Sequence, residues 1–157
     1  MTKRQERNGA ALDDVAKAII EQLQQDGRRS YAAIGKEVGL SEAAVRQRVQ
    51  RLIESGVMQV VAVTDPLQLG FARQAMVGIE VAGPLDPVAE ALAAMDEVDY
   101  VVITAGTYDI LAEIVCESDE RLLELISEKI RRIKGVSRTE TFMYLKLRKQ
   151  TYSWGVR

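Results

Sequence analysis

The sequence predicts an α+β protein, in which a small helical domain precedes a domain of mixed strands and helices. Three observations support this prediction. The first third of the chain has apolar residues at helical spacing, in runs that end near Gly27, Gly39 and Gly56. Asp65-Pro66 then breaks the pattern. After that break, strand-like and helix-like runs follow each other in the order β-α-β, β-α-β.

The composition excludes several function classes. The chain has 157 residues, 47% of them hydrophobic, with no histidine and one cysteine. Catalysis by a histidine-containing triad and the usual cysteine and histidine zinc sites are therefore excluded, and we expect no enzyme activity, cofactor or metal. No apolar run reaches the roughly 20 residues that span a bilayer, so we expect no membrane partner. One cysteine in a chain without a signal-peptide pattern fits a reducing cytoplasm.

The N-terminal third predicts a DNA-binding helix-turn-helix. A helical run starts at Leu12 and ends at Asp26-Gly27. Ser30 is suited to cap a second helix that Gly39 ends, and Ser41 to cap a third helix that continues to about Ser55. The short turn between the last two helices is typical of this motif. Six basic and two acidic residues lie between Arg28 and Arg51, which favours a polyanionic partner.

The third helix separates into a buried stripe and an exposed face. Val45, Val49 and Leu52 share one side. The opposite side presents Arg46, Gln47 and Gln50, which can read guanine and adenine edges. The flanking Arg48 and Arg51 suit phosphate contacts. A solvated amphipathic helix is the alternative. The candidate DNA-binding residues are Ser30, Ser41, Glu42, Ala43, Arg46, Gln47, Arg48, Gln50 and Arg51.

The rest of the chain predicts four more segments. The apolar run 57–64 is expected to form a β wing, which would make the DNA-binding domain a winged helix-turn-helix over residues 12–64, after a mobile arm at 1–11. Residues 65–71 form a linker. Residues 72–149 predict a ferredoxin-like βαββαβ domain, with Asp86 as a helix N-cap and a last strand that runs to Leu147. Residues 150–157 form a C-terminal tail.

The predicted sheet has a second apolar face. Both helices would cover one side, which leaves the other exposed. That second side carries Met76, Leu111, Val115, Phe142 and Tyr144. Because such a face is too apolar to remain in water, we expect a homodimer with two sheets face to face.

In this order, the segments resemble the Lrp/AsnC, or feast/famine, family of transcriptional regulators. The resemblance runs from about Leu12 to Leu147 and rests on an ordered set of short motifs. These include Asp26-Gly27-Arg28, Val38-Gly39-Leu40-Ser41, Arg48-Val49, Arg51-Leu52, Gly56-Val57, Asp65-Pro66, Gly106-Thr107-Tyr108-Asp109 and the segment 135–141. The chain departs from the family pattern at Ala16, where an acidic residue is usual, and at Gly35, which should cost about 1 kcal/mol in a helix.

The resemblance implies a DNA-binding regulator of the bacterial or archaeal cytoplasm, associated with the nucleoid. Its C-terminal domain would be of the RAM or ACT-like type and would form dimers, which often assemble into an octamer of four dimers. It also implies a small effector, usually an amino acid, bound between dimers near the turn Gly106–Asp109. A glycine-containing turn can offer N–H groups to a carboxylate, and Asp109 can balance an ammonium. The expected effector-binding residues are Thr104, Gly106, Thr107, Tyr108, Asp109, Ser137 and Thr139. Taken alone, the same turn could be a plain hairpin turn in which Asp109 accepts from the backbone.

Three alternatives remain open at this point. An architectural protein would wrap double-stranded DNA with little sequence preference and without an effector. An enzyme would use Asp109, Glu113 or Tyr108 in acid-base roles. A stand-alone amino-acid sensor would have a vestigial DNA-binding domain. The aromatic tail with Tyr152 and Trp154 is expected to pack on its own domain, although contact with DNA or a neighbouring subunit is the alternative.

Overall fold

The computed structural model describes residues 12–151 and 155–156, which belong to two compact units. The first unit comprises Met1–Ala62 and Lys149–Arg157, and the second comprises Val63–Arg148. The predicted arm at 1–11 and the aromatic residues Tyr152 and Trp154 lie outside the described residues. Within the described part of the chain, no helix is both long and apolar enough to cross a membrane.

Three helices form the first unit: α1 (Asp14–Gln25), α2 (Tyr31–Val38) and α3 (Glu42–Glu54). Each begins after a side chain that accepts a backbone N–H of the first turn. Asp13 accepts from Ala16, and Ser30 and Ser41 accept from the residues three positions further on. These bonds satisfy N–H groups that the helices leave without a partner. The predicted caps Ser30 and Ser41 are confirmed.

The core of the first unit joins all three helices. Its largest cluster contains Ile19, Ile34, Val45 and Val49, all at most 1% exposed. A second cluster unites Ala16, Ile20 and Leu52, with Val156 packed against it. The predicted buried stripe of the third helix is therefore confirmed, and α3 is held against the two helices before it.

Gly35 lies where α2 comes closest to the start of the turn. A Cβ atom added there would be 2.4 Å from the carbonyl oxygen of Leu40, far inside van der Waals contact. The amide of Leu40 donates in turn to the carbonyl of Gly35, at 2.9 Å. By helix propensity alone, Gly35 is only a residue that weakens α2. The structure shows that the absence of a side chain lets the turn close onto the helix.

The predicted wing is wrong. Residues 57–64 form neither strand nor helix in the structure. A strand needs a neighbouring strand for its backbone hydrogen bonds, and the first unit contains none among its described residues. The β-branched side chains Val60, Val61 and Val63 are accordingly exposed. Strand-like composition was present here without a partner that would let a strand form.

The second unit is an antiparallel sheet with helices. Its elements are a 3₁₀ turn (Pro66–Leu69), β1 (Arg73–Val81), α4 (Asp86–Ala93), β2 (Val98–Ile103), β3 (Ile110–Cys116), α5 (Asp119–Glu124) and β4 (Val136–Met143). A π-helical turn (Leu125–Lys129) and a 3₁₀ turn (Ile130–Arg132) continue α5. The sheet order is β2-β3-β1-β4 with antiparallel neighbours, which confirms the predicted ferredoxin-like arrangement.

Two boundaries in this unit differ from the prediction. β4 ends at Met143, opposite Ala75 of β1, and not at Leu147. One further backbone hydrogen bond joins the Tyr144 amide to the Gln74 carbonyl at 2.9 Å. The helix α4 includes Asp86 as its first residue, and no side chain caps it. Pro87 still stands in the first turn, where a missing N–H costs no hydrogen bond.

The helices cover one face of the sheet. The core contains Ala75, Val77, Ile79, Val88, Leu92, Ile110, Ala112, Ile114, Cys116, Leu125 and Ile130. On the outer face, Met76 lies opposite both Glu113 and Phe142 in the register of the strands. Phe142 is 43% exposed, so apolar surface is open on this side. The amide of Gln74 donates to the Glu113 carboxylate at 2.9 Å, which places a charged group among these apolar residues.

Candidate nucleic-acid and effector sites

The exposed face of α3 is continuous and carries most of the predicted DNA-binding residues. Ala43, Gln47 and Arg51 are exposed, and the side chains of Gln47 and Arg51 make no hydrogen bond or ion pair with any described residue. The surface is lined by Ala43, Ala44, Arg46, Gln47, Gln50, Arg51 and Glu54. Small residues near the helix start and free polar groups beyond it allow close approach and hydrogen bonding to base edges.

Arg46 is exposed but held on two sides. Its Nη2 lies 2.7 Å from Oε1 of Glu42, one turn earlier on α3. Its guanidinium carbon stands 5.2 Å from the centroid of the Tyr31 ring, within the range of a cation–π interaction. The sequence does not predict this contact with Tyr31, because no local pattern links the first residue of α2 to the fifth residue of α3.

Arg48 is engaged in a structural contact. Its Nη1 lies 2.6 Å from Oδ2 of Asp13, while the other carboxylate oxygen of Asp13 accepts the Ala16 amide. The hydrogen bond from Arg48 is the largest cause that lowers the pKa of Asp13, and the hydrogen bond from the Ala16 amide lowers it further. The arginine that we predicted for phosphate contact therefore joins α3 to the cap of α1.

Two serines and a glutamine complete the predicted DNA set. The hydroxyl oxygens of Ser30 and Ser41 each accept a backbone N–H at 3.2 Å, which leaves each O–H free to donate to a phosphate. Gln50 donates to Glu54 at 2.9 Å on the exposed side of α3. The second N–H of this amide and its carbonyl oxygen stay available for a base contact.

The turn between β2 and β3 lies at one end of the sheet in the second unit. It closes through the Thr104 amide, which donates to the Asp109 carbonyl at 2.8 Å, and through the Thr104 hydroxyl, which donates to the Tyr108 carbonyl. Gly106 and Thr107 are exposed at its tip. Their amides have no hydrogen-bond partner among the described residues and are open to an anionic group.

Asp109 ties this turn to the central strand. Its Oδ2 accepts the Val81 amide at 2.7 Å, and its own amide donates to the Ile79 carbonyl at 3.0 Å. The β1–β4 register shifts between Glu80 and Val81, which leaves the Val81 amide available to the carboxylate. Asp109 thus makes the backbone contact that sequence analysis gave as the alternative to ammonium binding.

The Tyr108 ring lies flat on the outer face of the sheet. A Cβ atom at Gly78 would be 2.6 to 2.8 Å from three atoms of this ring. The ring can therefore lie here only because residue 78 has no side chain. The ring packs edge-on against Phe142, with centroids 5.9 Å apart. Its hydroxyl donates to Glu140. This hydrogen bond is the largest cause that raises the pKa of Tyr108, and desolvation and the charge of Glu140 raise it further.

The two predicted β4 residues are also near this end of the sheet. The Ser137 hydroxyl donates to the Glu80 carbonyl at 2.9 Å, and Arg138 pairs with the Glu80 carboxylate at 3.0 Å. Thr139 lies opposite Ile79, two positions along the strand. The chain therefore brings the turn and the start of β4 to either side of the end of β1. Within the described residues, no three metal-ligating side chains are grouped.

Comparison with known proteins agrees with this geometry. Residues 12–53 match the AsnC-type helix-turn-helix domain, and residues 71–157 match a C-terminal dimeric alpha+beta barrel domain of AsnC-type regulators. The chain belongs to the AsnC/Lrp family of transcriptional regulators. The family resemblance that the sequence motifs predicted is confirmed.

Individual AsnC/Lrp proteins match nearly the full chain. The HTH-type transcriptional regulator FL11 of Pyrococcus furiosus is 38% identical over 142 residues, which cover 89% of this chain and 93% of the relative. Escherichia coli AsnC superposes with a TM-score of 0.78 at 26% identity, covering 90% of this chain and 97% of that one. The Mycobacterium tuberculosis leucine response regulatory protein LrpA gives 0.82 at 28% identity, covering 92% and 99%.

Proposed function

We propose that this AsnC/Lrp regulator binds double-stranded DNA sequence-specifically through α3 and changes its DNA-binding mode when a small effector binds. The proposed DNA binding rests on the exposed face of α3. Arg46, Gln47 and Arg51 project from a helix whose opposite side is fully buried. A rigid helix that presents one arginine and one free glutamine is suited to base readout in the major groove.

The division of roles follows from the side chains. Arg46, Gln47 and Gln50 read base edges, and Arg51 contacts phosphate together with the hydroxyls of Ser30 and Ser41. Arg48 supports the motif through Asp13 and contributes its charge to the long-range attraction of DNA. Glu42, at the start of α3, acts through Arg46.

The effector proposal rests on the turn at 104–109. The free amides of Gly106 and Thr107 can bind a carboxylate, as exposed N–H groups of a turn do for other anions. Asp109, Ser137 and Thr139 frame the same end of the sheet. An amino acid is the effector class proposed here, consistent with the name of the leucine response regulatory protein at 28% identity.

The assembly is a homodimer through the outer face of the sheet, with octamers as the larger form. Met76 and Phe142 lie on that face. Because Phe142 is 43% exposed, pairing two such faces removes apolar surface from water, whereas Val115 on the same face is already buried within the chain. An effector that binds where dimers meet must favour one assembly over another, because it shifts an equilibrium only through different affinities for the two states.

Selection of duplexes from a random-sequence pool, followed by fluorescence anisotropy, tests this function. We expect one enriched motif, with binding at least about 1,000-fold tighter than to shuffled DNA. Each of the twenty amino acids is then added, while light scattering reports the assembly. An absence of enrichment, together with steep salt dependence, would identify an architectural protein instead.

A glycine variant tests the effector site. A Cβ atom at Gly106 meets no atom within 4 Å, so Gly106→Val should fold as the wild type does. Its side chain would cover the free amides, and we expect the response to the active amino acid to be lost while DNA binding without effector is unchanged. A full response in Gly106→Val would refute this location.

A further inference from the structure

We infer that Tyr31 is a positioning residue for DNA recognition, which orients the guanidinium of Arg46 together with Glu42. This inference rests on the proposed function of α3. Tyr31 is the first residue of α2 and lies outside the recognition helix. Its ring stands 5.2 Å from the Arg46 guanidinium carbon.

Tyr31 is itself anchored. It packs against the core cluster of Ile19, Ile34, Val45 and Val49 and is only half-buried. One side of the residue therefore belongs to the core and the other remains at the surface, next to α3. A ring anchored in this way offers a fixed face to a cation, whereas the side chain of an isolated arginine samples many rotamers.

Glu42 restrains the same guanidinium from a second direction, through Oε1 and Nη2 at 2.7 Å. The ring and the carboxylate together define the direction of the guanidinium, and nitrogen atoms that Glu42 does not bind stay available. Bidentate recognition of guanine O6 and N7 needs a planar fork in one orientation. Positioning before binding lowers the entropy cost of forming that contact.

A purely structural role is the alternative, in which Tyr31 only fills space between α2 and α3. Three substitutions separate the two roles. Tyr31→Phe keeps the ring face and the packing. Tyr31→Leu keeps apolar packing without a π face. Arg46→Ala removes the group that the ring would orient.

Each variant is used to select duplexes from the same random-sequence pool, and its affinity for the wild-type motif and for single-base changes is measured. We expect Tyr31→Leu and Arg46→Ala to flatten the preference at the same base pair. Tyr31→Leu should weaken binding to the motif about five-fold or more, and Tyr31→Phe should stay within about two-fold of the wild type. The double variant Tyr31→Leu/Arg46→Ala should match Arg46→Ala alone, because coupled residues are not additive.

The outcomes distinguish the positioning role from the proposed function. If Arg46→Ala flattens the preference but Tyr31→Leu leaves it intact, the positioning role is wrong and base reading by Arg46 stands. If Arg46→Ala has no effect on the base-pair preference, base reading by Arg46 and the positioning role of Tyr31 are both wrong. Equal weakening on every sequence, or additive effects in the double variant, would reduce Tyr31 to a packing residue. Thermal melting of each variant confirms that the comparison is made on folded protein.

Discussion

Arg48 and Asp13 are joined by an ion pair of 2.6 Å, although 35 positions separate them in the chain. The same carboxylate caps α1 through the Ala16 amide. One aspartate therefore caps the start of α1 and pairs with an arginine of α3. In its ionised form, this carboxylate accepts both hydrogen bonds at once.

The Asp13 ion pair should make stability depend on pH. Because the pKa of Asp13 is lowered by its bond to Arg48, its contribution is present above the unfolded-state pKa, about 3.9, and is lost as pH falls through the folded-state value. Asp13→Asn keeps the cap but removes the charge, whereas Asp13→Ala removes both. Melting temperatures at pH 7 should fall in the order wild type, Asn, Ala. Identical pH profiles for wild type and Asp13→Asn would contradict this assignment.

Gly35→Ala should destabilise the DNA-binding unit, although alanine favours helices. The added Cβ would be 2.4 Å from the Leu40 carbonyl oxygen, and displacing backbone should cost about 1–3 kcal/mol. Urea denaturation measures the loss. Ala32→Gly, at an exposed position of α2, is the matched control and should cost about 1 kcal/mol through propensity alone. A gain in stability for Gly35→Ala would show that the turn can open freely.

Gln47 and Arg51 should differ in what they contribute to DNA binding. Gln47→Ala should relax the preference at one base pair, worth about 1–3 kcal/mol of discrimination. Arg51→Ala should weaken binding to all duplexes and reduce the slope of log affinity against log salt by about 1. Anisotropy titrations at several salt concentrations separate the two effects. Uniform weakening by Gln47→Ala would remove it from the base readers.

The Tyr108 phenol should titrate above its ordinary range. Its hydrogen bond to Glu140 raises the pKa, so its contribution to stability is present below the unfolded-state pKa, about 10, and is lost as pH rises through the folded value. Glu140→Gln should bring the phenol pKa down towards 10. The difference in ultraviolet absorbance between each protein and its Tyr108→Phe counterpart isolates this tyrosine. An unchanged titration in Glu140→Gln would rule out the bond as the cause.

We expect Phe142→Asp to convert the proposed homodimer to monomers. The substitution places a carboxylate on the outer face of the sheet, where two copies would bury it without a partner. Leu123→Asp is the control, because Leu123 is 66% exposed on α5, away from that face. Size-exclusion chromatography with light scattering should find monomers for the first variant and wild-type assembly for the second. A wild-type protein that is already monomeric would overturn the proposed interface.

The sequence predicted those features whose causes are local. The caps Ser30 and Ser41 and the stripe of Val45, Val49 and Leu52 each depend on residues within one or two helical turns. The strand-helix-strand order likewise predicted the ferredoxin-like sheet. The wing prediction was wrong because strand composition is local, whereas a strand also needs a neighbouring strand. Residues 57–62 have none among the described residues of their unit.

By itself, the sequence determined the family, the two folds and the face of α3 that is exposed. Only the tertiary structure decided which partner each polar group takes. It assigned Arg48 to Asp13, Arg46 to Tyr31 and Glu42, and the Asp109 carboxylate to the Val81 amide. The physical reason is that helix and strand periodicity acts over a few residues. These pairings depend on the angles at which distant elements pack, and no short-range pattern records those angles.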